Sequence, residues 1–140
     1  MFAAVALLYG ALNRGSSPLA PALRSLVTVR ISQINHCAFC VDINAATLIK
    51  RGVLMEKISA LHSWRDSPLF EPEECLALEY AEAMTITGSE VHSELVSRLK
   101  QQWDDDAIVE LTGLIAFQNL SSKFNSALNV PLQGFCQIPK

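Results

Sequence analysis

The sequence has no run of lysine and arginine, and its 14 acidic residues outnumber 11 basic ones for a net charge of −3. A polyanion needs a dense basic surface, so nucleic acid is not an expected partner. No segment alternates apolar and polar residues over a strand's length, which argues against a sheet-based fold. No apolar run approaches the roughly 18 residues of a membrane span, so no membrane partner is expected. The start, Met1 to Leu12, is apolar, yet it lacks a preceding Lys or Arg and a clean small-x-small cleavage site. A signal peptide is therefore not expected. Cysteine is scarce: Cys37, Cys40, Cys75 and Cys136 are the four, and just two are close together. This is not the dense framework of a small secreted domain, and it fits a reducing, cytoplasmic setting with one redox pair. Internal repeats and low-complexity linkers are missing as well.

What is present is helical punctuation. At 140 residues, one domain over 1–140 is expected, large enough to bury a core without disulfides. Apolar residues make up 50% and charged residues 18%, which points to a second apolar surface covered by another subunit. Phe2, Val5, Tyr9 and Leu12 repeat at three and four residues, as one helix face would. Pro18 and Pro21 suit the first turn of a second helix that runs through Ile31, with Ser32 to His36 as a break. A third helix is predicted from Cys37 to Lys50, stopped by Gly52. A fourth covers about Met55 to Trp64. A fifth opens at Glu71-Pro72 and runs to about Thr85. A sixth covers Glu90 to Gln102, with Ser89 as its cap. The last, from about Ala107 to Leu128, follows the Asp104–Asp106 cap and is apolar on most sides. It is expected at the centre of the bundle or at a subunit interface. The tail to Lys140 reads as irregular. The fold class is all-α, a compact bundle of about six to seven helices.

Cys37-Ala38-Phe39-Cys40, preceded by His36, is where chemistry would sit. Residues three apart on a helix have side chains about 5–6 Å apart, so the thiols can close a disulfide. At a helix start, unpaired N–H groups and the positive dipole end favour a thiolate. His36 can take a proton or pair with the thiolate. Structural zinc commonly uses two close ligand pairs, and no second pair exists, so no metal is expected. Haem attachment needs His directly after the second Cys, where Val41 stands. Burial without a role is the remaining alternative for the pair, and the leading one for Cys75 and Cys136. His62 and His92 read as exposed helix residues. Arg30 reads as an ion-pair partner. Asn44 shares the Cys40 side of its helix, and Asp42 is one position off it. Gln118, Asn119 and Asn125 read as buried hydrogen-bonding groups in the last helix. Phe39, Trp64 and Phe70 are candidate apolar walls.

The stretch Arg30-Ile-Ser-Gln-Ile-Asn-His-Cys-Ala-Phe-Cys-Val-Asp-Ile-Asn44 resembles the signature of the carboxymuconolactone decarboxylase family, in its alkylhydroperoxidase D-like redox branch. The likeness continues through Trp64-Arg-Asp-Ser-Pro-Leu-Phe70, Glu74, Ala81-Glu-Ala-Met-Thr85, Ala116-Phe-Gln-Asn119 and Asn125-Ser-Ala-Leu. The resemblance implies an alkylhydroperoxidase D-like helical fold, assembly into trimers or hexamers, and no bound cofactor. It also implies reduction of a hydroperoxide at the expense of a thiol reductant, through a sulfenic acid that condenses to a disulfide. The helix-start argument favours Cys37 as the more acidic thiol. The resemblance favours Cys40 as the sulfur that meets peroxide and Cys37 as the resolving one. Two positions depart from the redox branch: Asn44 stands where its His usually is, and Ser25 where its Glu usually is. These are the branch's proton relay, so the relay here would be rebuilt from His36, Glu74 or Glu82, or the protein would exchange disulfides or sense redox state without efficient peroxidase turnover.

Overall fold

The computed structural model describes residues 1–136; the end of the predicted irregular tail lies outside the described residues, as does the side chain of Phe2. Seven α-helices and one 3-10 helix account for the regular structure among them: α1 (Phe2–Leu12), α2 (Pro21–Ile34), α3 (Ala38–Lys50), α4 (Met55–Ala60), the 3-10 turn Leu61–Asp66, α5 (Pro72–Thr85), α6 (Ser93–Gln102) and α7 (Asp105–Ala127). The chain is all-α, as its pattern requires.

Local chemistry sets most boundaries. Pro21 and Pro72 stand in the first turns of α2 and α5, where a missing N–H costs nothing. The Glu74 carboxylate also accepts the Glu71 N–H (2.8 Å) at the start of α5. Asp104 caps α7 by accepting the Ala107 N–H (2.8 Å). Gly52, at φ 83°, supplies the left-handed turn that ends α3.

Three expectations change. The second helix does not break at Ser32: it continues to Ile34, because the buried Ser32 hydroxyl donates to the Thr28 carbonyl one turn back (2.7 Å). The fourth segment splits, since Ser63 leaves helical geometry (φ −126°) and the turn around it tightens to 3-10. The sixth helix starts at Ser93, with Ser89 outside it.

The central helix is α2, not α7. It packs on α3, α5 and α7 and buries Leu23, Leu26, Val27, Val29 and Ile31. One core joins α2 to α5, α6 and α7 through Val27, Ala77, Leu99, Leu111 and Ile115. The other joins α2 to α3, α4, the 3-10 turn and α5 through Leu26, Leu48, Ile58, Leu61, Trp64 and Leu78. Helix α7 keeps an outer side open, with Val109, Leu120 and Phe124 exposed. Helix α1 lies on α7, where Leu12 reaches 3.4 Å from the place a Cβ of Gly113 would occupy. Most of its apolar residues, Leu7 among them, face outward.

Candidate functional site

Cys37 and Cys40 flank the first turn of α3. The chain arrives through His36, whose φ of 52° reverses the backbone between α2 and α3. Histidine tolerates this left-handed region better than most residues. Cys37 is the N-cap: its sulfur accepts the Cys40 N–H (3.2 Å), so a helix-terminal donor points at that sulfur. The two cysteines are joined as a disulfide with Cα atoms 5.2 Å apart, and both are buried.

The sulfurs belong to different sides of α3. Cys37, Ala38, Val41, Asp42 and Ala45 recur at spacings that share one side, and they line a cavity of about 630 Å³. Met55, Ile58 and Leu132 make it largely apolar, and His36 stands on its wall with the residue exposed. Cys40 shares the other side with Asn44, Thr47 and Arg51, spaced by four, three and four residues. The latter three line a second cavity of about 30 Å³, together with Ser25 and Gln118. The Asn125 side-chain amide, from α7, lies 3.5 Å from the Cys40 sulfur as a hydrogen-bond donor.

A polar layer holds α7 at that register. Asn35 donates to Asn119 Oδ1 (2.9 Å) and to Ser122 Oγ (2.8 Å). Gln118 donates to Ser32 Oγ (2.9 Å), and Asn119 donates to Thr85 Oγ1 (2.9 Å). Gln118 and Asn119 thus hydrogen-bond inside the bundle as expected, whereas the partner of Asn125 is a reactive-pair sulfur.

The tail after α7 crosses back over α3. The Asp42 carboxylate accepts the N–H groups of Phe135 (2.8 Å) and Cys136 (2.7 Å). Burial opposes the charged form of Asp42, but the backbone N–H groups of Cys136, Phe135, Gln133 and Gly134 outweigh it and hold the carboxyl below its usual range. The Phe135 ring meets Phe39 edge-on, with centroids 6.3 Å apart. Cys136 reaches the Cys37 cavity as a free thiol, its pKa raised by burial and then by Asp42. Cys75 is free, half-buried, and lies on neither cavity.

The carboxylates named as relay substitutes are engaged elsewhere. Glu82 binds Arg30 Nε (2.8 Å), Trp64 Nε1 (2.9 Å) and Arg65. Burial works against its charge, yet these three donors hold its pKa low. Glu74 pairs with Lys57 at 2.6 Å. Neither lines either cavity. Ser25 and Asn44 do meet, on the small cavity, where Arg51 donates to Ser25 Oγ (2.6 Å). Phe39, Trp64 and Phe70 do not wall the large cavity: Trp64 and Phe70 are core residues and Phe39 packs on the tail. His62 and His92 are exposed.

An all-helical bundle that carries a buried Cys-x-x-Cys disulfide at the capped start of a helix defines the class. The chain belongs to the carboxymuconolactone decarboxylase family, whose model matches residues 1–83. It is 48% identical over 140 residues to the uncharacterised protein YnjA of Escherichia coli, covering the whole chain and 77% of that protein. Its structure is similar to that of a protein of unknown function from Agrobacterium tumefaciens, suggested to be the antioxidant-defence protein AhpD. The TM-score is 0.87 and the identity 27%, over 94% of this chain and 89% of that one. A peroxidase-related protein from Ralstonia eutropha, described as an alkylhydroperoxidase AhpD core, shares the fold at TM-score 0.80 and 20% identity, over 99% of this chain and 76% of that one. The fold is thus alkylhydroperoxidase D-like. Among the described residues no helix is long and apolar enough to cross a membrane.

Proposed function

We propose that this chain is a cytoplasmic thiol oxidoreductase in which Cys37 and Cys40 reduce a hydroperoxide at the expense of an external thiol, in antioxidant defence. The observation that carries the reading is the setting of the pair: one sulfur on an apolar cavity, the other on a side-chain amide. A reductant thiolate entering the cavity attacks Cys37 Sγ. The S–S bond breaks and Cys40 leaves as a thiolate, stabilised by the Asn125 N–H. A second reductant thiol attacks the mixed disulfide, frees Cys37 and departs as its own disulfide. The Cys40 thiolate then attacks the terminal peroxide oxygen. The O–O bond breaks, an alcohol leaves with a proton, and Cys40 becomes a sulfenic acid. Cys37 attacks that sulfur, water leaves, and the disulfide returns. His36, at the cavity wall, is the base for thiols arriving there. Exposed Leu7, Tyr9, Val109, Leu120 and Phe124 support a homo-oligomer, a trimer or hexamer.

Peroxide consumption by the reduced protein under excess dithiol tests this, beside Cys37→Ser and Cys40→Ser. Turnover lost in both variants supports a two-cysteine peroxidase. A pair that reoxidises without consuming peroxide catalytically moves the function to thiol–disulfide exchange. That second reading is favoured by one observation: Ser25 and Asn44 supply no acid or base beside Cys40, and Glu74 and Glu82 are bound elsewhere.

A further inference from the structure

The small cavity on the Cys40 side of α3 sets two cations and several neutral polar groups against the apolar side chains of Leu114 and Phe117. Arg24 and Arg51 both line it, and among the described residues no carboxylate does. Arg24 is 4% exposed. Its Nη1 donates to the carbonyls of Leu12 (3.0 Å) and Arg14 (3.4 Å), and its buried Nε has no partner. An ionised guanidinium removed from water needs a counter-charge or a full set of acceptors, and here it has neither. The cations nearest in influence make this worse. Burial lowers the Arg24 pKa first, then Arg51 and Arg14. Arg14 is neutralised by Glu110, but Arg51 meets only the Pro21 carbonyl (2.5 Å) and Ser25 Oγ (2.6 Å).

We propose that this cavity binds a carboxylate group, the head of a small organic acid, between Arg24 and Arg51. Guanidinium groups match a planar carboxylate in charge and in donor geometry. Size selects the head group. The space is about 30 Å³, and one water-sized group needs roughly 10–15 Å³ of it. Two oxygens fit and the four of a phosphate do not. Asn44 and Thr47 complete the wall, and Asn44 lies one helical turn from Cys40. An acid bound there sits on the Cys40 side of α3, opposite the apolar cavity. The inference rests on charge, burial and volume, and stands whether or not the cysteine pair turns over peroxide.

The probe is acetate, titrated into the intact protein and followed by NMR of the 13C-labelled ion, with chloride holding ionic strength constant. Saturable binding is expected in the wild type and in Lys50→Gln, which removes a neighbouring exposed charge outside the cavity. Arg51→Gln is expected to weaken binding by about tenfold or more, the loss of one charge-assisted hydrogen bond. Arg24→Met should act likewise, and Arg51→Gln decides the matter if that variant does not fold. Absence of saturable binding, equal binding in Arg51→Gln, or competition by chloride or phosphate at concentrations as low as acetate's own would each overturn the proposal.

Discussion

The two sides of helix α3 differ in almost every physical respect. The Cys37 side opens on about 630 Å³ lined by Val41, Ala45, Met55, Ile58 and Leu132, and is crossed by the tail. The Cys40 side closes on about 30 Å³ lined by Arg24, Ser25, Asn44, Thr47 and Arg51. Cys37 lines the first of these, whereas Cys40 lines neither and has the Asn125 amide beside it. Three residues along a helix offset the side chains by only about 60°, which keeps the two sulfurs in bonding reach. Under the proposed chemistry the apolar cavity is the entrance for the thiol that attacks Cys37, and the Asn125 amide stabilises the displaced Cys40 thiolate.

The strongest way to break this comparison is to remove one sulfur at a time. Under the proposed chemistry, turnover falls to background in both Cys37→Ser and Cys40→Ser, but the trapped species differ. Cys37→Ser treated with peroxide should carry a sulfenic acid on Cys40 that a dimedone-type probe captures. Cys40→Ser given the oxidised, disulfide form of the reductant should carry a mixed disulfide on Cys37, formed by exchange with release of one reductant thiol, and given peroxide it should show little sulfenic adduct. Adducts on Cys37 alone would reverse the roles of the two sides.

A smaller effect is expected from filling the entrance. Val41→Trp places a ring in the large cavity and leaves the small one untouched. Apolar contacts of this size are worth roughly tenfold in selectivity. Turnover with a bulky thiol should drop by about that factor, whereas the size of the hydroperoxide, which meets Cys40, should matter little. Hydrogen peroxide with a small dithiol should change about twofold at most. Equal losses for all substrates would mean that the cavity is not the route to the pair.

The tail offers a third, milder test. Asp42 holds Phe135 and Cys136 by backbone hydrogen bonds, so Asp42→Ala should release the tail and speed alkylation of Cys136 severalfold near pH 8, with the fold retained by circular dichroism. The pH dependence has a fixed sign. The backbone donors hold the native pKa of Asp42 below the ordinary 3.8 of an aspartate. Its stabilising contribution is therefore present above that value and is lost as pH falls through the lower native one. Glu82, depressed from 4.5, behaves in the same sense. Unfolding midpoints should decline below about pH 4, and Asp42→Ala should flatten part of that decline. Unchanged alkylation would show that the tail is held by Phe135 against Phe39 instead.

The sequence carried the helices well because their signals are local. Pro21 and Pro72 at first turns, Asp104 before α7 and Gly52 after α3 act within one turn and the structure keeps these, while Pro18, expected with Pro21 in the first turn, lies ahead of α2. Ser32 misled because a serine inside a helix satisfies itself on the carbonyl one turn back, which polarity alone does not reveal. The centrality of α2 was equally hidden. Its Arg24, Ser25 and Ser32 are polar by residue type, yet they are buried and make polar contacts beyond the helix. The site divides along the same line. The Cys pair and its helix start are contiguous in sequence and were legible. Asn125 reaches Cys40 across 85 positions and Cys136 reaches Asp42 across 94, and spacing gives no warning of such contacts. Glu74 and Glu82 were reasonable relay substitutes by residue type, but their cations reached them first.

The subtlest difference between the two sides is the amide over Cys40. Asn125 donates to a sulfur whose charge changes during the reaction, so its hydrogen bond is stronger to the thiolate than to the thiol. Asn125→Ala should raise the Cys40 pKa in the reduced protein by about half to one unit, the equivalent of one modest hydrogen bond. Asn125→Asp should raise it further, because a carboxylate repels the thiolate. Cys37 accepts its helix-capping N–H on the other side and should not respond to either change. With Cys75 and Cys136, the two free thiols, also changed to serine, thiolate absorbance against pH in a Cys37→Ser background isolates the Cys40 titration, and the Cys40→Ser background supplies the control. If both sulfurs shift together, the sides of α3 are not electrostatically separate. A shift confined to Cys40 would make the Asn125 amide the group that sets which of the two thiols leaves.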